Sequence, residues 1–177
     1  MIYFVRHGLS EANVKRVFAG QKDDSLLTEE GREQAKKTGK KIVEEEINID
    51  RIISSPSKRA LETAEIIAKE LKFNLSKIIK DDRINEFDMG SLSGTPWRED
   101  FPLLLASAKN AEDPQTFRDR VYACVKELSE LSGNTLVVSH AGVGRILETI
   151  KQGKDAKSFY GLPPYPNASV TKIDWIK

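Results

Sequence analysis

The chain contains two histidines, His7 and His140, far apart in sequence but similarly placed. Each follows an apolar run and precedes a glycine-containing turn: Ile2-Tyr3-Phe4-Val5 before Arg6-His7-Gly8, and Thr135-Leu136-Val137-Val138-Ser139 before His140-Ala141-Gly142. Short runs rich in β-branched residues read as buried strands. Both imidazoles therefore fall just past the carboxyl end of a strand, where open parallel sheets bind ligands. One histidine alone is usually a hydrogen-bonded structural residue; a pair beside arginines is different. Arg6 adjoins His7, and Arg59 lies in the first turns of the helix after a second strand. Two guanidinium and two imidazole groups in one cleft make an electropositive pocket. Arginine forks match phosphate oxygens, and helix N-termini add backbone donors. A metal would need carboxylate or cysteine ligands beside the histidines. No HxxxH or HxH spacing occurs, and converging arginines repel a cation, so no metal is expected.

The elements that must position these residues alternate along the chain. Thr28 caps a helix running to about Glu46, with Glu29 and Glu30 in its first turn. Arg51-Ile52-Ile53-Ser54 reads as a strand, and Ser55-Pro56 as a cap followed by a helix-starting proline. A short strand is expected around Lys77 to Lys80, a helix from Asp113-Pro114, and a helix from about Val143 to Lys151. A last strand follows over Ala168 to Ile173. Between Asp81 and Asp113 the pattern is irregular, with Gly90, Gly94, Pro96 and Pro102. Strand and helix alternation predicts an α/β fold, a three-layer α/β/α sandwich around a mostly parallel sheet. One domain over 1–177 is expected, with a short lid-like insertion at about 91–113.

Composition narrows the partners. With 28 basic and 27 acidic residues the net charge is +1, so neither nucleic acid nor an anionic membrane is expected as a partner. The one cysteine, Cys124, excludes an intrachain disulfide and reads as an inert core thiol. The apolar N-terminus is too short for a signal peptide or a membrane span, which points to the cytoplasm.

Several blocks of the chain, in order, resemble the histidine phosphatase superfamily, which includes the cofactor-dependent phosphoglycerate mutases. They are Arg6-His7-Gly8 with Ser10 and Asn13; Leu27-Thr28 through Gln34-Ala35; Ser54-Ser55-Pro56 with Arg59 and Thr63; Glu86 before Gly90; and Ser139-His140-Ala141-Gly142 with Arg145. Asn167-Ala168-Ser169-Val170 is similar to the closing strand. Leu9 stands where many members carry Glu and is expected to alter the pocket near the leaving group. Ala141 replaces a common Gly. The segment from Gly94 to Asn134 is shorter than in the mutases, which favours a phosphatase.

The resemblance implies transfer through a phosphohistidine. His7 is then the nucleophile, its tautomer fixed by a backbone carbonyl. Arg6, Arg59 and a protonated His140 hold the phosphoryl oxygens, with carboxylates near His140 expected to keep it charged. Glu86 is the general acid and then the base. Asn13, Ser10 and Ala141 are substrate-binding candidates, and Arg145 is support or a surface ion pair. The implied activity is that of a histidine acid phosphatase-type phosphomonoesterase acting on a small phosphorylated metabolite, with no metal or organic cofactor. A phosphoglycerate mutase, a protein-phosphohistidine phosphatase and a noncatalytic phospholigand-binding domain are the alternatives. Specificity is expected around Trp97, Arg98 and Phe101; composition leaves the oligomeric state open.

Overall fold

The computed structural model describes residues 1–176; the final lysine of the expected domain lies outside the described residues. Five strands form one sheet: β1 (Ile2–Arg6), β2 (Arg51–Ser54), β3 (Ile79–Lys80), β4 (Thr135–Ser139) and β5 (Val170–Ile173). Their order is β3-β2-β4-β1-β5. The pairings β2–β3, β2–β4 and β4–β1 are parallel, and β5 is antiparallel to β1. Six α-helices connect or flank the strands: α1 (Glu11–Lys15), α2 (Glu29–Glu44), α3 (Lys58–Glu70), α4 (Phe101–Ser107), α5 (Pro114–Ser129) and α6 (Ala141–Lys151).

Period-two alternation sorts the strand side chains between two apolar layers. Val5, Ile52, Leu136 and Val138 pack with Ala35 and Ile42 of α2 and Ala60, Ala64 and Ile67 of α3. Phe4, Ile53 and Val137 point the other way, onto Phe117 and Val121 of α5 and Ile146 and Leu147 of α6. Because β4 is sandwiched between helices on both faces, all five of its residues are buried. The expected α/β/α sandwich is what forms.

The local expectations differ from the structure at identifiable places. Thr28 does cap α2, its hydroxyl accepting from Gly31 N–H at 3.0 Å, and Asp113 caps α5. By contrast, Ser55-Pro56 does not start a helix; α3 begins at Lys58 behind Ser57, which makes no side-chain cap bond. The strand near Lys77 shrinks to two residues at an exposed sheet edge. The last strand starts at Val170 rather than Ala168, because Ala168 is left-handed (φ 54°) and spends its N–H on the Arg6 carbonyl at 2.9 Å. The 91–113 segment contains α4 and is tied across the cleft mouth to the loop after α1. Phe18 N–H donates to Thr95 O at 2.9 Å, Gly94 N–H to Phe18 O at 2.8 Å and Trp97 N–H to Arg16 O at 2.7 Å. Among the described residues, no helix is long and apolar enough to cross a membrane.

Candidate active site

The parallel pairing of β1 with β4 puts Arg6 opposite Ser139, so His7 and His140 leave the sheet at the same level. His7 N–H donates to Ser139 O at 2.8 Å. The two rings meet edge to face, with centroids 5.2 Å apart. Sequence distance is thus removed by strand register.

His7 is oriented on all sides. Its Nδ1 lies 2.7 Å from the Gly8 carbonyl. A carbonyl only accepts, so Nδ1 carries the proton and Nε2 keeps its lone pair. Gly8 N–H is held by Thr63 Oγ1 at 3.1 Å, and Asn167 Nδ2 donates to the His7 carbonyl at 3.0 Å. Burial, and then the charges of Arg59 and Arg6, keep the imidazole pKa well below its ordinary value. His7 is therefore neutral near pH 7.

His140 departs from the expectation of a cation kept charged by carboxylates. Its Nε2 faces two hydroxyls, Ser55 Oγ at 2.7 Å and Ser57 Oγ at 3.2 Å. Burial, Arg59, His7 and Arg6 push its pKa well down, so this ring is also neutral. Ser55 Oγ in turn donates to Asn85 Oδ1 at 3.1 Å. A hydroxyl can give or take a hydrogen bond, so the two serines satisfy Nε2 in either tautomer. Ser55, expected to cap a helix, instead seats His140 together with Ser57.

Glu86 is buried, with both oxygens aimed by backbone donors: Oε1 accepts from Phe87 N–H at 2.8 Å and Oε2 from Gly142 N–H at 3.2 Å. A Cβ at residue 142 would lie 2.2 Å from Glu86 Oε1, so only glycine lets the carboxyl sit there. The loop carrying Glu86 is clamped from below by Arg120 of α5, which donates to the carbonyls of Arg83, Asn85 and Glu86 at 2.8 to 2.9 Å. Arg120 is itself oriented by Glu112, Nε to Oε1 at 2.6 Å. Ser139 Oγ donates to Ile84 O at 2.6 Å and ties the same loop to β4.

The arginines are held less completely. Arg59 is 1% exposed and pairs with Asp23 Oδ2 at 2.9 Å, while Arg6 Nη1 donates to Tyr165 O at 2.8 Å. Burial lowers the Arg6 pKa to about 10 and lowers that of Arg59; at neutral pH Arg6 stays charged. Five buried side-chain polar atoms lack a partner among the described residues. Four of them are Arg6 Nε, Arg59 Nε, His140 Nδ1 and Arg145 Nε. Native proteins seldom leave buried polar groups unpaired.

Arg6, His7, Asn13, Arg59, Glu86 and Ala141 line a single cleft of about 440 Å3. Asn13 Oδ1 accepts from Asn167 Nδ2 at 3.3 Å. Three expectations are corrected. Ser10 is fully buried and caps α1 in a reciprocal box with Asn13, so its hydroxyl is committed to the backbone and lies off the cleft. Leu9 is not among the lining residues either; its N–H donates to Gln34 Oε1 at 2.9 Å. Arg98 turns to solvent and pairs with Asp100, whereas Trp97 and Phe101 do line the cleft. Arg145 also lines it and makes no surface ion pair. Cys124 is buried beside Asp81, and burial pushes its thiol up to about 12, as an inert core cysteine requires. Among the described residues, no group of three or more His, Cys, Asp or Glu is placed to hold a metal. Arg120, Ser55, Ser57 and Asn167 are the residues sequence reasoning missed.

Comparisons with known proteins agree with this geometry. The "Probable phosphoglycerate mutase GpmB" of Salmonella choleraesuis is 32% identical over 196 aligned positions, covering 98% of this chain and 84% of that protein. The structure of YhfR from Bacillus stearothermophilus superposes with a TM-score of 0.82 at 28% identity, covering 99% of this chain and 92% of that one. The fold is shared with a mycobacterial glucosyl-3-phosphoglycerate phosphatase, TM-score 0.79 at 21% identity, covering 96% and 90% of the two chains. The 2,3-bisphosphoglycerate-dependent phosphoglycerate mutase of Bartonella henselae is 39% identical over 93 residues, 52% of this chain but only 45% of that protein. The chain spans less than half the length of that mutase. The model of the histidine phosphatase superfamily, branch 1, matches residues 2–177. With His7, Arg6 and Arg59 lining one cleft and His140 packed edge to face behind His7, itself off the lining, the chain belongs to the histidine phosphatase superfamily.

Proposed function

We propose that the protein is a metal-independent phosphomonoesterase that hydrolyses a small phosphorylated metabolite through a phosphohistidine. One observation carries this reading. Arg6 Nε, Arg59 Nε and His140 Nδ1 are buried without partners on the three side chains that adjoin the neutral His7 ring, whose Nδ1 is held by Gly8 and whose Nε2 is left for an electrophile. A phosphoryl group supplies oxygens to the first three and an electrophile to the fourth.

In the first step the His7 Nε2 lone pair attacks phosphorus. The N–P bond forms, the ester P–O bond breaks, and protonated Glu86 gives its proton to the leaving oxygen. Each Glu86 oxygen keeps a second lone pair beyond its backbone contact, so the carboxyl carries that proton without losing its anchors. In the second step Glu86 takes a proton from water, the water oxygen attacks phosphorus, and the N–P electrons return to Nε2. Arg6 and Arg59 hold the equatorial oxygens throughout. His140 donates from Nδ1 as the neutral tautomer once the Ser55 hydroxyl turns its proton from Asn85 Oδ1 to Nε2, 2.7 Å away.

The test is His7→Ala assayed with p-nitrophenyl phosphate. Removing the nucleophile lowers kcat on the order of 10^4-fold or more. The wild-type protein, quenched during turnover, carries one phosphoryl group on His7 by mass spectrometry. Undiminished phosphate release from the variant overturns the assignment.

The mutase relatives favour a second reading, a phosphoglycerate mutase. A bisphosphoglycerate-primed assay separates the two. Isomerisation faster than phosphate release supports the mutase; release without isomerisation supports the hydrolase.

A further inference from the structure

Glu86 sits in a stretch that no ladder holds. Between the short helical turns at Asp82–Ile84 and Gly90–Leu92, the chain is neither helix nor strand. The carbonyls of such a loop must find partners outside regular structure. Here they converge on one side chain. Arg120 Nη1 donates to Arg83 O and Asn85 O, both at 2.8 Å, and Nη2 to Glu86 O at 2.9 Å. The other donors go to Glu112, Nε to Oε1 at 2.6 Å and Nη2 to Oε2 at 2.8 Å. Every N–H of the guanidinium fork is thereby spent. The cleft arginines differ: Arg6, Arg59 and Arg145 each keep a buried Nε without a partner. Arg120 is absent from the cleft lining and has no donor left for a substrate.

The mounting is stiff. The Arg120 guanidinium lies 4.6 Å from the centre of the Phe117 ring, and Phe117 packs edge to face on Phe87, the residue after the acid, with centroids 5.3 Å apart. The side chains of Arg120 and Glu112 are 17% and 11% exposed, so the pair escapes most of the solvent screening that weakens surface ion pairs. Glu112 also fixes the foot of the 91–113 insertion. Its N–H donates to Asp88 O at 2.8 Å, and its Oε2 accepts from Asp88 N–H at 3.3 Å. One ion pair thus joins α5, the neck of the insertion and both ends of the segment 83–88. Glu86 is tied at two points to different helices: its carbonyl to α5 through Arg120, and its carboxyl to the start of α6 through Gly142 N–H at 3.2 Å. Two anchors on one residue fix where its side chain can reach.

We infer that Arg120, oriented by Glu112, is the positioning residue for the proton-transferring carboxyl of Glu86. It touches neither the substrate nor the reacting atoms. It holds the Glu86 main chain where the carboxyl meets the leaving oxygen, and proton transfer depends on that reach. The inference rests on the phosphatase reading of the cleft and adds to it a dependence of acid catalysis on an ion pair outside the cleft.

Arg120→Met, Arg120→Lys and Glu112→Gln test it through kcat/KM, which reports the first phosphoryl transfer from free enzyme and ester. Two esters are compared: benzyl phosphate, whose alkoxide must be protonated as it leaves, and p-nitrophenyl phosphate, whose leaving group needs little protonation. Arg120→Met removes all the donors and lowers kcat/KM for benzyl phosphate on the order of 10^2-fold, the cost of misplacing a catalytic group by about 1 Å. For p-nitrophenyl phosphate the loss is several-fold. Arg120→Lys supplies a point charge with fewer donors and recovers part of the difference. Glu112→Gln gives the same selectivity at smaller amplitude. A merely structural role lowers both esters by the same factor. Equal losses on the two esters overturn the proposal, as does the absence of any loss in folded Arg120→Met. Should Arg120→Met fail to melt cooperatively, the Lys and Gln variants decide by the same ratio. Failure of the wild type to hydrolyse either ester defeats the phosphatase reading and the positioning role with it; hydrolysis with equal losses defeats the positioning role alone.

Discussion

At the inner end, His7, His140, Arg59 and Glu86 are buried and project from strand ends, from the first turn of α3 or from a loop clamped by Arg120 and Ser139. At the rim, Arg16 is exposed, Trp97 is 39% exposed, and their loops are joined by backbone hydrogen bonds and a few ring contacts. The inner end is preorganised by many mutually supporting contacts, as transition-state stabilisation requires. The rim is built from few contacts on segments that tolerate change. The two ends divide the labour: on the proposed reading the reaction resides at the strand ends, and the choice of substrate in whatever borders them.

Substitutions graded from the inner end outward can break this comparison. The largest effect is expected for Glu86→Gln, which removes the proton donor. With an alkyl phosphate, kcat falls about 10^2- to 10^4-fold. With p-nitrophenyl phosphate, whose leaving group needs little protonation, the loss is much smaller. Equal losses on both substrates would remove Glu86 from the acid role.

Gly142→Ala comes next. The new methyl displaces the Glu86 carboxyl from its seat, and a misplacement of about 1 Å costs on the order of 10^2-fold in rate. Retention of wild-type kcat would show that the carboxyl can act from elsewhere.

The third test is thermodynamic and concerns the inner end before substrate binds. Both histidine pKa values are lowered in the folded protein. Below pH 6.5 the unfolded chain therefore binds protons that the native state refuses. Stability is at its full value above about pH 6.5 and declines as pH falls toward the depressed native pKa values, by up to about 1.4 kcal/mol per pH unit for each histidine. Thermal melts from pH 7.5 to 5 should fall accordingly, and the fall should be shallower in His140→Asn. A pH-independent melting temperature would contradict burial of neutral rings.

The smallest effect is expected for Trp97→Ala at the rim. Losing an exposed cation–π platform worth about 0.5–1 kcal/mol raises KM roughly 2- to 5-fold. A collapse of kcat instead would mean that rim and centre are not separable.

Much of the inner end was legible from residue types alone. The two histidines follow apolar strands of the kind a parallel sheet buries, so their meeting was readable before the register was known. Arg59 is legible from its place in the first turns of the helix after β2, whereas Glu86 is singled out only by the family pattern, because it sits among several carboxylates. Ser55 carries the local signature of a helix start because proline follows it, and Ser57 carries no local signal at all. Their hydroxyls act on a ring in β4's wake, which no local pattern encodes. Arg120 and Asn167 were invisible for the same reason: their partners are carbonyls brought near by tertiary folding. The protonation state of His140 failed on electrostatics. A charged ring there needs a carboxylate neighbour, and the structure offers serines.

The pairing of β1 with β4 has a further consequence for how the protein is born. His7, the proposed nucleophile, is made on the order of 130 residues before the end of β4, the strand that completes its surroundings. At translation rates of about 5–20 residues per second, His7 waits on the order of ten seconds for its partner strand. Until then it is an ordinary imidazole on an unfinished polypeptide, unable to trap a phosphoryl group. On the proposed reading, competence comes only once β4 docks beside β1, so a chain terminated before β4 carries His7 without its surroundings.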